Sequence, residues 1–231
     1  MNVATELAPV VALVGNPNCG KTALFNALTG SRQKVANYPG VTVEKKVGRV
    51  VTPAGRAVEI VDLPGTYSLR ARSPDEEITR DAVLGKLASE RAPDLIVCVA
   101  DASNLRLALR LALELKHVGR PVMMALNMMD IAKKRGIEID LAVLARELGM
   151  PVVSSVAVRR GGTDRLLDAL DDRLAVHQPM SAADWRALNR TASPIIKASA
   201  AKPENQVIAT SASHPLTRNA RTSSAAPKCQ R

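Results

Sequence analysis

The chain has 231 residues and a net charge of +10; 46% of its residues are apolar and only 2% aromatic, so Leu, Val, Ile and Ala must fill the core. It shows no apolar run of about 18 residues, so no membrane span is expected, and no secretory signal is visible at its start. Its three cysteines have no metal-ligand spacing, which argues against a disulfide framework and fits a reducing cytosol. Residues 178–231 carry eight of the 32 basic side chains and two of the 22 acidic ones, so the rest of the chain is only mildly basic and indicates no nucleic-acid surface.

The first stretch with a chemical signature is residues 15–22, Gly-Asn-Pro-Asn-Cys-Gly-Lys-Thr, between an apolar run at 10–14 and a helical pattern at 23–28. Strand, Gly-rich turn and helix in this order are the context of a phosphate-binding loop. The glycines let the backbone curl around an anion, and the helix N-terminus adds free N–H groups and a positive dipole end. Lys21 can reach the β- and γ-phosphates of a nucleotide, and the hydroxyl of Thr22 can bind Mg²⁺. The alternative, a plain Gly-rich turn, is disfavoured by the complete pattern.

The remaining elements follow from hydrophobic periodicity and turn residues. The first half predicts loops and a hairpin: a polar loop at 31–43, strands at 43–52 and 57–62 joined by a turn at 53–56, a loop at 63–75 and a helix at 76–90. The second half predicts alternating strands and helices: strands at 94–100, 121–126 and 151–156, and helices at 104–118, 141–148 and 163–176. This order predicts an α/β fold with a doubly wound, mostly parallel sheet, one antiparallel hairpin strand and helices on both faces.

Two further stretches bear on Mg²⁺ and the γ-phosphate. Asp62-Leu63-Pro64-Gly65 ends a predicted strand, where a carboxylate can hold a Mg²⁺-bound water and the N–H of Gly65 can sense a γ-phosphate. Thr42, in the loop at 31–43, can complete Mg²⁺ coordination when GTP is bound. The alternatives are a capping role for Asp62 and a strand-edge position for Thr42.

The stretch that selects the base is Asn127-Met128-Met129-Asp130, at the end of another predicted strand. A carboxylate such as Asp130 accepts hydrogen bonds from both N1–H and the 2-amino group of guanine, a donor pair that adenine lacks. Asn127 and Asp130 can also be simple turn formers. The order of all four stretches along the predicted fold nevertheless favours a GTP-binding switch protein.

With these motifs the chain resembles the cytosolic G domain of the bacterial ferrous iron transport protein B (FeoB) family, P-loop GTPases of the translation-factor-like class. The similarity covers roughly residues 8–177. The stretches that carry it are residues 15–22, 37–44, 62–69, 73–76, 101–105 and 125–130.

The resemblance implies binding of GTP and GDP with Mg²⁺ and K⁺. The residues implied in nucleotide binding are Gly15, Asn16, Pro17, Asn18, Cys19, Gly20, Lys21, Thr22, Ala23, Gly40, Val41, Thr42, Asp62, Gly65, Asn127, Met128, Asp130, Val156, Ala157 and Val158. Mg²⁺ would be held by Thr22, Thr42 and Asp62, and K⁺ by Asn18.

For catalysis the resemblance implies slow GTP hydrolysis through Asn18, Lys21, Thr42 and Gly65. A K⁺ ion beside Asn18 would offset transition-state charge where other GTPases use an arginine finger. Thr66 stands where Ras-like proteins have a glutamine that orients water, so no side-chain general base is expected.

The resemblance also implies that switch loops 31–44 and 63–76 couple nucleotide state to a membrane permease region outside this chain. The location is expected to be cytoplasmic, at the cytoplasmic face of the bacterial inner membrane in the full-length protein. Further implied partners are small accessory iron-transport proteins and copies of the same chain; no nucleic acid is expected. The isolated His117, His177 and His214 predict no Fe²⁺ site.

Two other functions stay open at this stage: a ribosome-assembly-type, RNA-associated GTPase and a non-catalytic module that only senses the nucleotide. The domain division is predicted at residues 1–177, the G domain, and 178–231, a basic tail rich in Ala, Ser and Thr without sustained apolar periodicity. This tail is expected to be disordered, at most beginning a helical regulatory domain near 183–188. A truncated chain, an interrupted gene or a frameshift would each explain it.

Overall fold

A seven-stranded sheet organises the described part of the chain, which in the computed structural model comprises residues 8–30, 33–39, 41–88 and 90–176. The strands are β1 (Val10–Gly15), β2 (Gln33–Asn37), β3 (Glu44–Val51), β4 (Ala57–Asp62), β5 (Leu95–Asp101), β6 (Val122–Asn127) and β7 (Val152–Ser154). The helices are α1 (Lys21–Thr29), α2 (Pro74–Val83), α3 (Leu105–Lys116), α4 (Met129–Lys134), α5 (Leu141–Leu148) and α6 (Asp164–Val176). A short 3₁₀ turn at Ala102–Asn104 precedes α3.

The strand order is β2-β3-β4-β1-β5-β6-β7. β1 pairs in parallel with both β4 and β5, and the parallel ladder continues through β6 to β7. β3 alone runs antiparallel to its neighbours β2 and β4. The predicted mostly parallel sheet with one antiparallel hairpin strand is confirmed, and the loops after β1, β4, β6 and β7 therefore meet at one edge of the sheet.

Two apolar layers cover the two faces of the sheet. Because side chains alternate along a strand, Val11 and Leu13 of β1 face the layer formed with α1 and α6, while Ala12 and Val14 face the layer formed with α3 and α5. All six residues of β1 are buried, as expected for a central parallel strand. The prediction of helices on both faces is confirmed.

The switch segments depart from the predicted elements in two places. The predicted loop at 31–43 contains strand β2, which periodicity missed because all five of its side chains are exposed and only the ladder to β3 defines it. The predicted helix at 76–90 instead spans Pro74–Val83, capped by the Ser73 hydroxyl, which accepts from the Glu76 N–H at 3.3 Å. It ends before Gly85, whose φ of 65° lies in the left-handed region.

Helix α4 was not predicted at all, and its first two residues, Met129 and Asp130, are the last two of the stretch predicted to select the base. The predicted tail at 178–231 lies outside the described residues, so the domain boundary at 177 remains a prediction. In the part of the chain that the structure describes, none of the helices combines the length and the apolar character needed to cross a bilayer.

Candidate nucleotide-binding site

The loop between β1 and α1 is built around two close backbone approaches. A Cβ at Gly15 would lie 2.4 Å from the Val99 carbonyl oxygen of the neighbouring strand, and a Cβ at Gly20 would lie 2.4 Å from Nδ2 of Asn127. Gly20 and Asn18 also have left-handed backbones, with φ of 79° and 64°. The two close approaches explain why the loop needs glycine at both ends. The left-handed residues curl the backbone, as the binding of an anion by successive N–H groups requires.

At the start of α1, Lys21 and Thr22 both bind the carboxylate that ends β4. Lys21 Nζ donates to Oδ1 of Asp62 at 2.6 Å, and Thr22 Oγ1 donates to Oδ2 at 2.9 Å. The Lys21 and Asp62 side chains are only 10% and 4% exposed. A carboxylate and a hydroxyl so close together are hard oxygen ligands of the kind Mg²⁺ prefers, so these residues fit a Mg²⁺ site beside a phosphate.

A cleft of about 330 Å³ opens beside this ion pair. The residues that line it are Lys21, Thr22, Thr42, Val43, Glu44, Lys46, Asp62, Leu63, Pro64, Gly65 and Asp75. The structure therefore brings the predicted Mg²⁺ ligands Thr22, Thr42 and Asp62 to one cleft with Lys21 and Gly65. Gly40 and Val41, which precede Thr42, were also predicted to bind nucleotide. Val41 is exposed and its N–H donates to the Tyr38 carbonyl at 3.2 Å, while Gly40 lies outside the described residues.

Asn127 links the phosphate loop to the loop that follows β7. Its Nδ2 donates to the Cys19 carbonyl at 3.2 Å, and its Oδ1 accepts from the N–H of Ala157 at 3.1 Å. The hydroxyl of Ser155, a buried residue that sequence reasoning missed, lies 3.5 Å from the same Oδ1. Asn127 is only 2% exposed, so it acts as a buried tie between the two loops rather than as a simple turn former.

The other residues predicted to select the base follow Asn127 in the sequence. Met128 has a left-handed backbone with φ of 60°, and Asp130 stands in the first turn of α4, partly exposed. The loop after β7 is closed by the Val156 N–H, which donates to the Gly162 carbonyl at 2.9 Å. Ala157 contacts Asn127 through its backbone, whereas the Val158 side chain is 85% exposed.

Comparison with known proteins agrees with this geometry. The family model described as ferrous iron transport protein B matches residues 9–170. The chain belongs to the FeoB family. The Fe(2+) transporters FeoB of Escherichia coli K12 and Salmonella typhimurium are each 47% identical to it over 161 residues, 70% of this chain and 21% of theirs. It thus spans about a fifth of the length of these curated relatives.

Solved structures of FeoB cytosolic regions resemble this chain as well. The cytosolic domain of T. maritima FeoB in its GMPPNP form is 45% identical with a TM-score of 0.65, covering 73% of this chain and 63% of the other. The cytosolic domain of L. pneumophila FeoB is 43% identical with a TM-score of 0.65, covering 78% and 77%. The isolated G domain of T. maritima FeoB is 44% identical with a TM-score of 0.63, covering 73% and 98%.

Thr66 of this FeoB-family chain is tied into the loop that follows β4. Its N–H donates to the Gly15 carbonyl at 3.1 Å, and its hydroxyl donates to the Ser68 carbonyl at 2.6 Å. Glu76, which belongs to the stretch at 73–76 but was assigned no role from the sequence, lies 3.3 Å from the same hydroxyl and also accepts from the Arg72 N–H at 2.8 Å. Thr66 is 1% exposed and bonded within the loop, and the expectation that no side-chain general base acts at this position stays a prediction.

Three buried polar residues lie in the phosphate loop and in the segment at 31–44. Burial raises the pKa of the Cys19 thiol to about 11, so it stays neutral at ordinary pH and fills space in the loop. Burial likewise raises the pKa of Tyr38 well above its ordinary value. The Asn16 Oδ1, at the start of the phosphate loop, is buried without a hydrogen-bond partner among the described residues.

The described residues contain no group of three or more His, Cys, Asp or Glu side chains arranged to hold a metal ion. His117 lies just after α3, with its Nδ1 2.6 Å from the Leu113 carbonyl oxygen. His177 and His214 fall outside the described residues, so the expectation of no Fe²⁺ site stays a prediction.

Proposed function

We propose that this chain is the GTP-binding and GTP-hydrolysing switch domain of a ferrous iron transporter. The observation that carries the proposal is the single cleft where Lys21, Thr22, Asp62, Thr42 and Gly65 meet. It is supported by the T. maritima relatives, which are 45% identical and were solved in GMPPNP and GDP forms. Asn127 adds the second half of the argument, because it joins this phosphate end to the base-selecting loops.

On nucleotide binding, Lys21 would exchange its ion-pair partner Asp62 for phosphate. Lys21 would leave Asp62 and donate to phosphate oxygens, while the N–H groups of the loop at 15–20 and of the start of α1 cradle the same phosphates. Thr22, Thr42 and Asp62 would hold Mg²⁺, which when bound would neutralise negative charge on the phosphates. Asp130 would accept from guanine, and the loop at 156–158 would pack against the base.

The switch follows from where these residues sit. Thr42 and Gly65 belong to segments 31–44 and 63–76, which flank the β3–β4 hairpin, so contacts with a γ-phosphate would order both segments together. Loss of the γ-phosphate on hydrolysis would release them. We propose that this change is read by a membrane permease region outside this chain, at the cytoplasmic face of the bacterial inner membrane. Accessory iron-transport proteins and further copies of the chain are the other proposed partners.

GTP hydrolysis is expected to be slow, below about 10⁻² s⁻¹, because no side chain orients the attacking water. Single-turnover phosphate release from excess protein and GTP measures the chemical step directly. Tight binding without phosphate release over many hours would instead indicate the non-catalytic, nucleotide-sensing module. RNA affinity that falls steeply with salt, together with GTPase activity that RNA stimulates, would favour the RNA-associated alternative.

Potassium is expected to accelerate this hydrolysis. Asn18 is exposed in a left-handed turn of the phosphate loop, so its amide oxygen is available to a monovalent cation beside the phosphates. We expect turnover in KCl to exceed turnover in NaCl, and Asn18→Ala to remove the difference without a large change in GDP affinity. Asn26→Ala, which alters an exposed asparagine on α1, is the matched control. Equal turnover in the two salts for the unaltered chain would contradict the potassium role.

A further inference from the structure

The cleft at the phosphate end contains a second lysine that the family motifs do not assign. Lys46 of β3 is the antiparallel partner of Asp62 of β4 in the sheet. Directly opposed residues on antiparallel strands point to the same face, with Cβ atoms about 4.5–5.5 Å apart. Lys46 therefore projects toward the same side as the Asp62 carboxylate, and its side chain lines the cleft with Thr42 and Gly65.

The two lysines of the cleft differ in how their ion-pair partners are buried. Among the described residues that line it, Lys21 and Lys46 carry the positive charges, and no arginine is present. Lys21 is held by the buried Asp62 at 2.6 Å. Lys46 is instead held by Glu44 at 3.1 Å, with the Lys46 side chain 31% exposed and the Glu44 side chain 57% exposed.

The Lys46–Glu44 pair is weak because water screens it. Ion pairs at the protein surface contribute little to stability, and Glu44 can turn to solvent without leaving a buried charge behind. A phosphate oxygen with its higher negative charge is a better partner for an ammonium, particularly in a cleft that a bound nucleotide partly shields from water. Lys46 can therefore exchange Glu44 for an anion at little cost.

We propose that Lys46 binds the γ-phosphate and is a specificity-determining residue that lets the chain distinguish GTP from GDP. This inference rests on the proposed GTP-binding function. GDP leaves the Thr42 and Gly65 side of the cleft without a phosphate, so Lys46 remains with Glu44. GTP adds negative charge there, draws Lys46 away and frees Glu44, which stands two residues after Thr42 in the switch segment. The exchange links γ-phosphate recognition to the position of that segment.

The alternative is that Lys46 only stabilises the fold, and it leads to a different expected result. If the Lys46–Glu44 pair only stabilised strand β3, its loss would change both nucleotide affinities equally or leave both unchanged. The two roles are separated by measuring affinities for GDP and for a non-hydrolysable GTP analogue at fixed Mg²⁺. Thermal unfolding of each variant checks that the fold is retained.

Lys46→Ala is expected to weaken binding of the GTP analogue about tenfold while changing GDP affinity less than about twofold, as for loss of one charge-assisted hydrogen bond. Lys46→Gln, which keeps most of the side-chain volume, should behave alike, and Lys46→Arg should restore most of the affinity. Glu44→Gln is expected to tighten binding of the analogue, since it removes the competing carboxylate. Arg49→Ala is the matched control, because Arg49 lies on the same strand, is exposed and points to the opposite face.

Equal weakening for both nucleotides, or no weakening for either, in Lys46→Ala and Lys46→Gln would overturn the inference. An unaltered affinity for the analogue in Glu44→Gln would overturn the proposed competition. Both results leave the GTP-binding function standing, provided that the unaltered chain binds GDP and the analogue. If the unaltered chain binds neither, the proposed function itself fails.

Discussion

Replacing Lys21 with Met is expected to abolish nucleotide binding and to destabilise the nucleotide-free chain by about 3 kcal/mol. The Lys21 ammonium is the proposed partner of the β- and γ-phosphates, so its loss would remove charge-assisted bonds to both. The stability effect has a separate cause. Asp62 is 4% exposed and would keep the Thr22 hydroxyl but lose its cationic partner, leaving an underpaired charge in the protein interior.

The measurements for Lys21→Met are calorimetric titration with GDP and denaturant unfolding of the apo chain. The double variant Lys21→Met with Asp62→Asn should recover most of the stability, since neither partner is then charged, but should not recover binding. Lys34→Met, at an exposed position on edge strand β2, controls for the loss of a lysine. Nucleotide binding that survived Lys21→Met would show that the loop at 15–22 is not the phosphate site. A single variant as stable as the parent would contradict the buried ion pair.

The phosphate loop could be predicted because its chemistry is local. Eight consecutive residues specify the turn, and the glycines at 15 and 20 are required by approaches of 2.4 Å that no other residue could make. The apolar runs of β1, β5 and β6 were equally clear, because a parallel strand buried on both faces leaves a continuous signal. Residue identity alone therefore predicted the central parallel strands and the edge at which the candidate site lies.

The features that were missed depend on pairing between distant segments. Strand β2 has no apolar face of its own and is defined by hydrogen bonds to β3. Helix α2 stops at Val83, before the left-handed Gly85, although apolar residues continue beyond it, and Leu87 packs against the core from a non-helical segment. The positions of Ser155 and Lys46 beside Asn127 and Asp62 follow from tertiary contact and sheet register, which no local motif encodes.

Replacing Asp130 is expected to change which nucleotide base the chain prefers. Asp130→Asn is expected to lower GTP affinity by about a hundredfold or more, because an amide cannot accept from both N1–H and the 2-amino group of guanine. Xanthine carries a carbonyl in place of the 2-amino group, and the N–H of asparagine can donate to it. The same variant should therefore bind xanthosine triphosphate more tightly than the parent chain does.

Competition binding with GTP, ATP and xanthosine triphosphate measures this exchange of specificity. Asp140→Asn is the control, since Asp140 caps α5 by accepting from the N–H groups of Ala142 and Val143, and asparagine caps a helix about equally well.

The position of Asp130 makes the test selective. It lies in α4, three residues beyond the buried Asn127, so its replacement leaves intact the hydrogen bonds by which Asn127 links the phosphate loop to the loop after β7. Loss of all nucleotide affinities together would mean that Asp130 supports the loop rather than reading the base. An unchanged preference for GTP would assign guanine recognition to the backbone around Ala157 instead.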